Sequence, residues 1–252
     1  MGMLSERQNS LLNFIIREYI KTAHPVPSAL VSQQAGLRVS PATVRNEMTN
    51  LEKAGFLVQP HTSGGRVPTD KAYRYYVDTL LYQPTSVISP TDKKHINSVV
   101  QEAGFRAQAL NKAIAEVLSE LSGNLVIAGI AGKAEFSKKG LANLFHNPEF
   151  RQWDNVFQLT AFFEAFEQTF QLVEREFFQT LGRPSQIPIQ VLVGEENPFQ
   201  QMSRESIMCA RYRLPGDIIG SLTLVGPTRM DYERNIGLIQ YTTQFIKNIN
   251  HI

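Results

Sequence analysis

At 252 residues, 42% apolar and 19% charged, the chain has the balance of a soluble globular protein and room for two modest domains. Its longest apolar run, Leu125–Ala131, falls far short of the ~20 residues that span a bilayer, and no secretory signal is seen. The single cysteine, Cys209, excludes an internal disulfide and a cysteine metal cluster, so the cytoplasm is the expected compartment. The net charge of +2 divides unevenly: residues 1–82 carry +3 and the remainder −1. The positive excess lies in the N-terminal part, as attraction to phosphate would require.

In chain order, Ser5-Glu6-Arg7-Gln8 has the form of a capping box. Leu11, Leu12, Ile15, Ile16, Tyr19 and Ile20 then repeat at helical spacing to about Lys21, and His24-Pro25-Val26-Pro27 ends the helix. Ser28 is expected to cap a short second helix over 29–34, closed by Gly36. Ser40 is a good N-cap for a third helix, with Pro41 at its first position and Gly55 as its stop. Val44, Met48 and Leu51 give this helix one narrow apolar face. Thr43, Arg45, Asn46, Thr49, Asn50 and Lys53 occupy the opposite face.

A polar helix face is ordinarily just solvated surface. What changes the reading is the hairpin that follows. Phe56-Leu57-Val58 is strand-like, Thr62-Ser63-Gly64-Gly65 is a turn cluster, and Arg66-Val67 returns. Three helices and a basic hairpin make the winged helix-turn-helix pattern. Arg forks onto guanine, Asn onto adenine, and Thr reaches phosphate or base edges. The expected DNA-binding residues are therefore Ser40, Thr43, Arg45, Asn46, Thr49 and Lys53 on the helix, with His61, Thr62 and Arg66 on the wing. The first half of such a helix usually makes the base contacts, which ranks Lys53 below the others. Thr69 is expected to cap a further helix from Asp70 to about Tyr82 whose Lys71 and Arg74 could brush phosphates, though packing is its ordinary role.

At these residues the chain resembles the HrcA family of heat-inducible transcription repressors. The resemblance is carried by SERQ (5–8), PVPS (25–28), SPATVRNEM (40–48), LEKAGFL (51–57), QPHTSGGRVPT (59–69) and YRYYVD (73–78), and downstream by GLANLFHNPEF (140–150), VLVGEENP (191–198) and GPTRMDY (226–232). PHTSGGRVPT is the most specific, because generic winged helices do not share it. The resemblance implies a homodimer on an inverted-repeat operator in double-stranded DNA upstream of chaperone genes, with a chaperonin as modulator. It also implies a GAF-like second domain. Here only Ile130–Lys139 separates that domain's first strand from the GLANLF motif, where the family carries further sheet and an inserted dimerisation domain. The chain reads as a shortened member.

The fold class expected is α+β: a winged-helix domain over 1–82, a linker over 83–91, and a GAF-like regulatory or dimerisation domain over 92–252 with a reduced insertion. In the second part, Asp92–Leu121 reads as one helix or two with Gly104 as the weak point, and Asn124–Ala131 as a strand. Gly140–Phe150 reads as a loop with a short helical turn, and Trp153–Leu181 as a Phe-rich amphipathic helix. Ile187–Val193 is a strand, Ile207–Leu214 and Ile218–Val225 form a hairpin about Pro215-Gly216-Asp217, and Asp231–Ile252 closes the chain as a helix.

No catalytic grouping, cofactor motif or metal set stands out. Gly129–Ala134 resembles a phosphate loop only superficially, since its spacing is too short and Ala134 stands where magnesium needs a hydroxyl. His24, His61, His95, His146 and His251 are scattered, Glu195-Glu196 suits a loop cap, and Cys209 sits in an apolar strand as an inert thiol. The expected function is a non-enzymatic repressor without cofactor or membrane attachment. The alternatives are a ligand-sensing regulator that uses the GAF-like domain, and an interaction module that no longer represses.

Overall fold

The computed structural model describes residues 4–36, 40–61, 64–82, 88–131, 133, 135–146, 189–197 and 203–249. It divides into two compact units: Met1–Leu80 with Thr228–Asp231, and Leu81–Pro227 with Tyr232–Ile252. The expected Phe-rich helix Trp153–Leu181 and the wing residue Thr62 lie outside the described residues.

The first unit is three helices, a short hairpin and a fourth helix. Helix α1 (Glu6–Thr22) starts at the capping box read from the sequence: Gln8 N donates to Ser5 Oγ, and Ser5 N donates to Gln8 Oε1. Leu11, Leu12, Ile15 and Ile16 are fully buried, so the apolar periodicity is the core-facing stripe. Helix α2 (Ser28–Gln34) corrects one expectation. Its N-cap is Pro27, with no side-chain bond, and Ser28 is already the first helical residue. The Pro27 carbonyl accepts from Leu30 N and Val31 N instead. Helix α3 (Pro41–Lys53) begins as expected, with Ser40 Oγ accepting from Thr43 N at 3.2 Å and Pro41 in its first turn. Such a cap is worth ~1 kcal/mol. Val44, Met48 and Leu51 reach zero exposure.

Strands β1 (Leu57–Val58) and β2 (Val67–Pro68) pair antiparallel, Leu57 opposite Pro68. A bridge from Val26 to Arg66 adds a third extended segment. Gly65 is where the backbones approach most closely: a Cβ there would lie 2.6 Å from the Pro25 carbonyl carbon and nearer still to that of Val26. Helix α4 (Asp70–Leu81) buries Ala72, Tyr73, Tyr76, Val77 and Leu80, and Phe56 packs edge-on to Tyr75 at 5.7 Å.

In the second unit, α5 (Pro90–Ala103) is capped by Ser89 and starts two residues before the expected Asp92, and Gly104 (φ 68°) separates it from α6 (Ala107–Ser122). The sheet is antiparallel with order β4-β3-β7-β6-β5, from β3 (Leu125–Ile130), β4 (Phe136–Lys139), β5 (Ile189–Val193), β6 (Glu205–Leu214) and β7 (Ile218–Pro227). The expected hairpin about Pro215-Gly216-Asp217 is present as β6–β7. Strand β4 was not expected. Phe-Ser-Lys-Lys lacks a strand pattern, and its pairing with β3 makes it one. Helix α6 packs on β3 and β4, and α8 (Tyr232–Ile249) on β6.

The downstream motifs resolve into structural ties. Gly140 lets the start of α7 (Leu141–His146) press against Ser119 and Asn124, and Asn143 Nδ2 donates to Ser119 Oγ at 3.2 Å. Glu196 Oε2 accepts from Val193 N, and Asn197 Nδ2 donates to the carbonyls of Gly194 and Glu205. Cys209 is buried, with its sulfur 3.4 Å from Thr223 Oγ1. Among the described residues no helix is long and apolar enough to cross a membrane.

Candidate nucleic-acid interface

The polar face of α3 has a definite electrostatic build. Arg45, Asn46 and Lys53 are exposed, at a spacing that holds them on one side of the helix. The two carboxylates of the same helix are both paired. Glu47 is only 7% exposed, and Arg7 of α1 donates from Nε to its Oε1 at 2.9 Å and from Nη2 to the same oxygen. Gln8 Nε2 donates to the other oxygen at 3.1 Å. Burial pushes the Glu47 carboxyl up. The bonds from Arg7 and Gln8, the Arg7 charge and a bond from Asn50 outweigh it, so the group sits below its ordinary 4.5. Glu52 pairs with the wing, its Oε2 2.9 Å from Arg66 Nε.

The structure does not place the eight described members of the expected set alike. Ser40 is exposed at the N-cap, with Oγ 2.9 Å from Thr43 Oγ1. The Thr49 hydroxyl is engaged on both sides, donating to Arg45 O at 3.0 Å and accepting from Arg66 Nη2 at 3.4 Å. His61 is exposed at the wing turn, where its carbonyl accepts from Gly64 N. Arg66 does not extend along an open ribbon. Its side chain is 12% exposed and turned onto α3. Lys71 is likewise committed: Nζ donates to Ala54 O at 2.6 Å, at the carbonyl end of α3, and lies over the Phe56 ring. Arg74 pairs with Asp78 at 2.8 Å.

Sequence reasoning missed the Arg7–Glu47 and Arg66–Glu52 pairs. Arg7 and Glu47 are 40 positions apart, and nothing local to either marks the other. The signal available was weaker: two glutamates inside a helix expected to approach phosphate, a placement that calls for partners.

A capped helix with an outward Arg/Asn/Lys face, its carboxylates neutralised and a hairpin wing beside it, defines a winged helix-turn-helix DNA-binding protein. Comparison with known proteins agrees. Residues 3–79 match the family described as winged helix-turn-helix transcription repressor, HrcA DNA-binding, and residues 87–236 match the HrcA protein C-terminal domain. The chain belongs to the HrcA family of heat-inducible transcription repressors. Similar curated proteins, each called heat-inducible transcription repressor HrcA, include those of Alkaliphilus metalliredigens and Halalkalibacterium halodurans. The first is 26% identical over 345 positions, taking in 98% of each chain, and the second 27% identical over 339 positions, taking in 96% of each. An alignment of 345 positions against 252 residues means that this chain is internally shorter than its relatives. A crystal structure described as that of a hypothetical protein superposes with a TM-score of 0.78 at 19% identity over 99% of each chain, which establishes the fold across its whole length.

Proposed function

We propose that the protein represses transcription by occupying an inverted-repeat operator as a homodimer, with two copies of α3 in successive major grooves roughly 34 Å apart. One observation carries this reading: α3 exposes Arg45, Asn46 and Lys53 while both of its carboxylates are held in ion pairs. Arg45 and Asn46 read base edges. Ser40, Thr43 and Lys53 meet phosphate, and Thr49 presents its methyl, since its hydroxyl is already engaged. His61 and Thr62 extend the contact from the wing. Repression by occupancy needs no turnover, cofactor or membrane, and places the protein in the cytoplasm with the DNA.

The heat-inducible character of the relatives supports chaperone genes as targets and a chaperonin as the modulator. Unfolded protein would draw the chaperonin away and let repression lapse. Selection of bound duplexes from a random pool, followed by a salt titration of the winner, tests the reading. An inverted-repeat consensus with a steep salt slope supports it, and no enrichment overturns it. A monomer by light scattering at the binding concentration overturns the dimer.

A second reading, ligand sensing, is favoured by one feature. A cleft of about 350 Å³ beside α6 is lined by Gln108, Asn111, Ile130, Glu135, Phe136 and Ser137, near the lower end of the range for small-molecule sites. Thermal stabilisation by a member of a panel of small aromatic and aliphatic acids and amines, lost in Asn111→Ala, would support it. No shift across the panel would count against it.

A further inference from the structure

Arg66 is the basic residue of the wing, and its position in the fold differs from that of a phosphate contact. Its backbone is fixed from one side: Val26 N donates to Arg66 O at 2.9 Å, and Arg66 N donates to Val26 O at 3.0 Å. Gly65, just before it, fits against the Pro25–Val26 backbone with no room for a side chain. Its guanidinium is fixed from the other side by Glu52, at 2.9 Å, and by Thr49, whose hydroxyl in turn bonds the Arg45 carbonyl. The chain of bonds therefore runs from the α1–α2 connection through Arg66 to the peptide of Arg45.

We propose that Arg66 is a positioning residue. It braces the wing against α3 and masks the Glu52 carboxylate, so that the helix approaches DNA without an uncompensated negative charge. Arg66 contributes to binding through Glu52 and Thr49, not through a bond of its own to phosphate. Arg7 does the same for Glu47 from α1, so both α3 carboxylates are masked by arginines from other elements. The physical reason is direct. Glu52 is one residue before Lys53 and is itself a third exposed. Left unpaired, it would repel the phosphates that Lys53 attracts.

This inference rests on the reading of α3 as the groove helix. The test measures affinity and salt slope on a duplex selected by the unaltered protein, for Arg66→Met, Glu52→Gln and the double variant, with thermal midpoints as a folding check. Arg66→Met alone should weaken binding ~10-fold with the salt slope unchanged, because no phosphate contact is lost. Removing the carboxylate should remove the need for the mask. The double variant should then bind within ~3-fold of Glu52→Gln, again with an unchanged slope. Should Arg66→Met fail to fold by itself, the comparison of the double variant with Glu52→Gln decides alone. A loss at Arg66 of equal size in both backgrounds, with the slope reduced by ~0.9, would make Arg66 a phosphate contact and overturn the inference. In that case Arg45→Ala still reports on the groove helix, so the two failures are distinguishable. If the unaltered protein selects no duplex at all, both fall together.

Discussion

Arg7 and Glu47, 40 residues apart, form a forked ion pair in which the glutamate side chain is 10% exposed and the arginine side chain is half exposed. The pair joins the first turn of α1 to the middle of α3, the helix proposed to enter the groove. Burying a carboxylate without its partner is costly, so truncating the arginine should be felt more strongly than its exposure suggests.

Arg7→Ala is expected to lower stability by ~1–2 kcal/mol, discounted from the fully buried case because Arg7 is half in water. The effect should depend on pH. The folded-state pKa of Glu47 lies below its ordinary 4.5, so its contribution is present above that value and is lost as pH falls through the folded pKa. Chemical denaturation from neutral pH down to about pH 3 should show a decline that the variant largely lacks.

Arg45→Ala is expected to cost ~1–3 kcal/mol of operator binding and to relax the preference at one base pair, as removal of a base contact does. Lys53→Ala should instead weaken binding evenly across sequences and reduce the salt slope by ~1. Competition binding against single-base operator variants separates the two. Even weakening in both variants would make Arg45 a phosphate contact.

Gly65→Ala is expected to destabilise the first unit by ~1–3 kcal/mol, because the added Cβ meets the Pro25–Val26 backbone, which cannot rotate away as a side chain would. Gly64→Ala should cost well under that, since its Cβ would sit 3.3 Å from the His61 carbonyl oxygen in an exposed turn. Thermal melts of the two variants make the comparison. Equal losses would show that turn flexibility, not the close approach, is what the paired glycines supply.

Glu205, the first residue of β6, is 5% exposed, and its Oε2 has no hydrogen-bond partner among the described residues. Burial pushes its carboxyl up to about 7, against smaller opposing contributions from the Arg204 backbone and charge. A raised pKa means that the fold favours the protonated acid. The contribution of Glu205 to stability is fully present below the ordinary 4.5 and is lost, by up to ~3 kcal/mol, as pH rises through about 7. Glu205→Gln should remove that decline. A variant whose stability still falls between about pH 5 and pH 8 would assign it to another group.

Much of this protein is legible in its residues alone, and the reason is that those features are local. The Ser5–Gln8 box, the Ser40-Pro41 start of α3, the apolar stripe of α1 and the Pro215-Gly216-Asp217 turn each depend on neighbours within a few positions. The outward placement of Arg45, Asn46 and Lys53 follows from helical periodicity once Val44, Met48 and Leu51 face inward. The sequence reading differs from the structure at two places. Ser28 lost the capping position to Pro27, and β4 took strand form from β3 across a hairpin that its own residues do not announce. What only the tertiary structure decided is how the charges of α3 are used. Glu47 and Glu52 become masked rather than free, and Arg66 turns inward rather than out, because Arg7 and the Val26 bridge arrive from distant parts of the chain. Ion pairs between residues far apart in sequence leave no periodic trace in it, so the composition of α3 is read from the chain and its electrostatics from the fold.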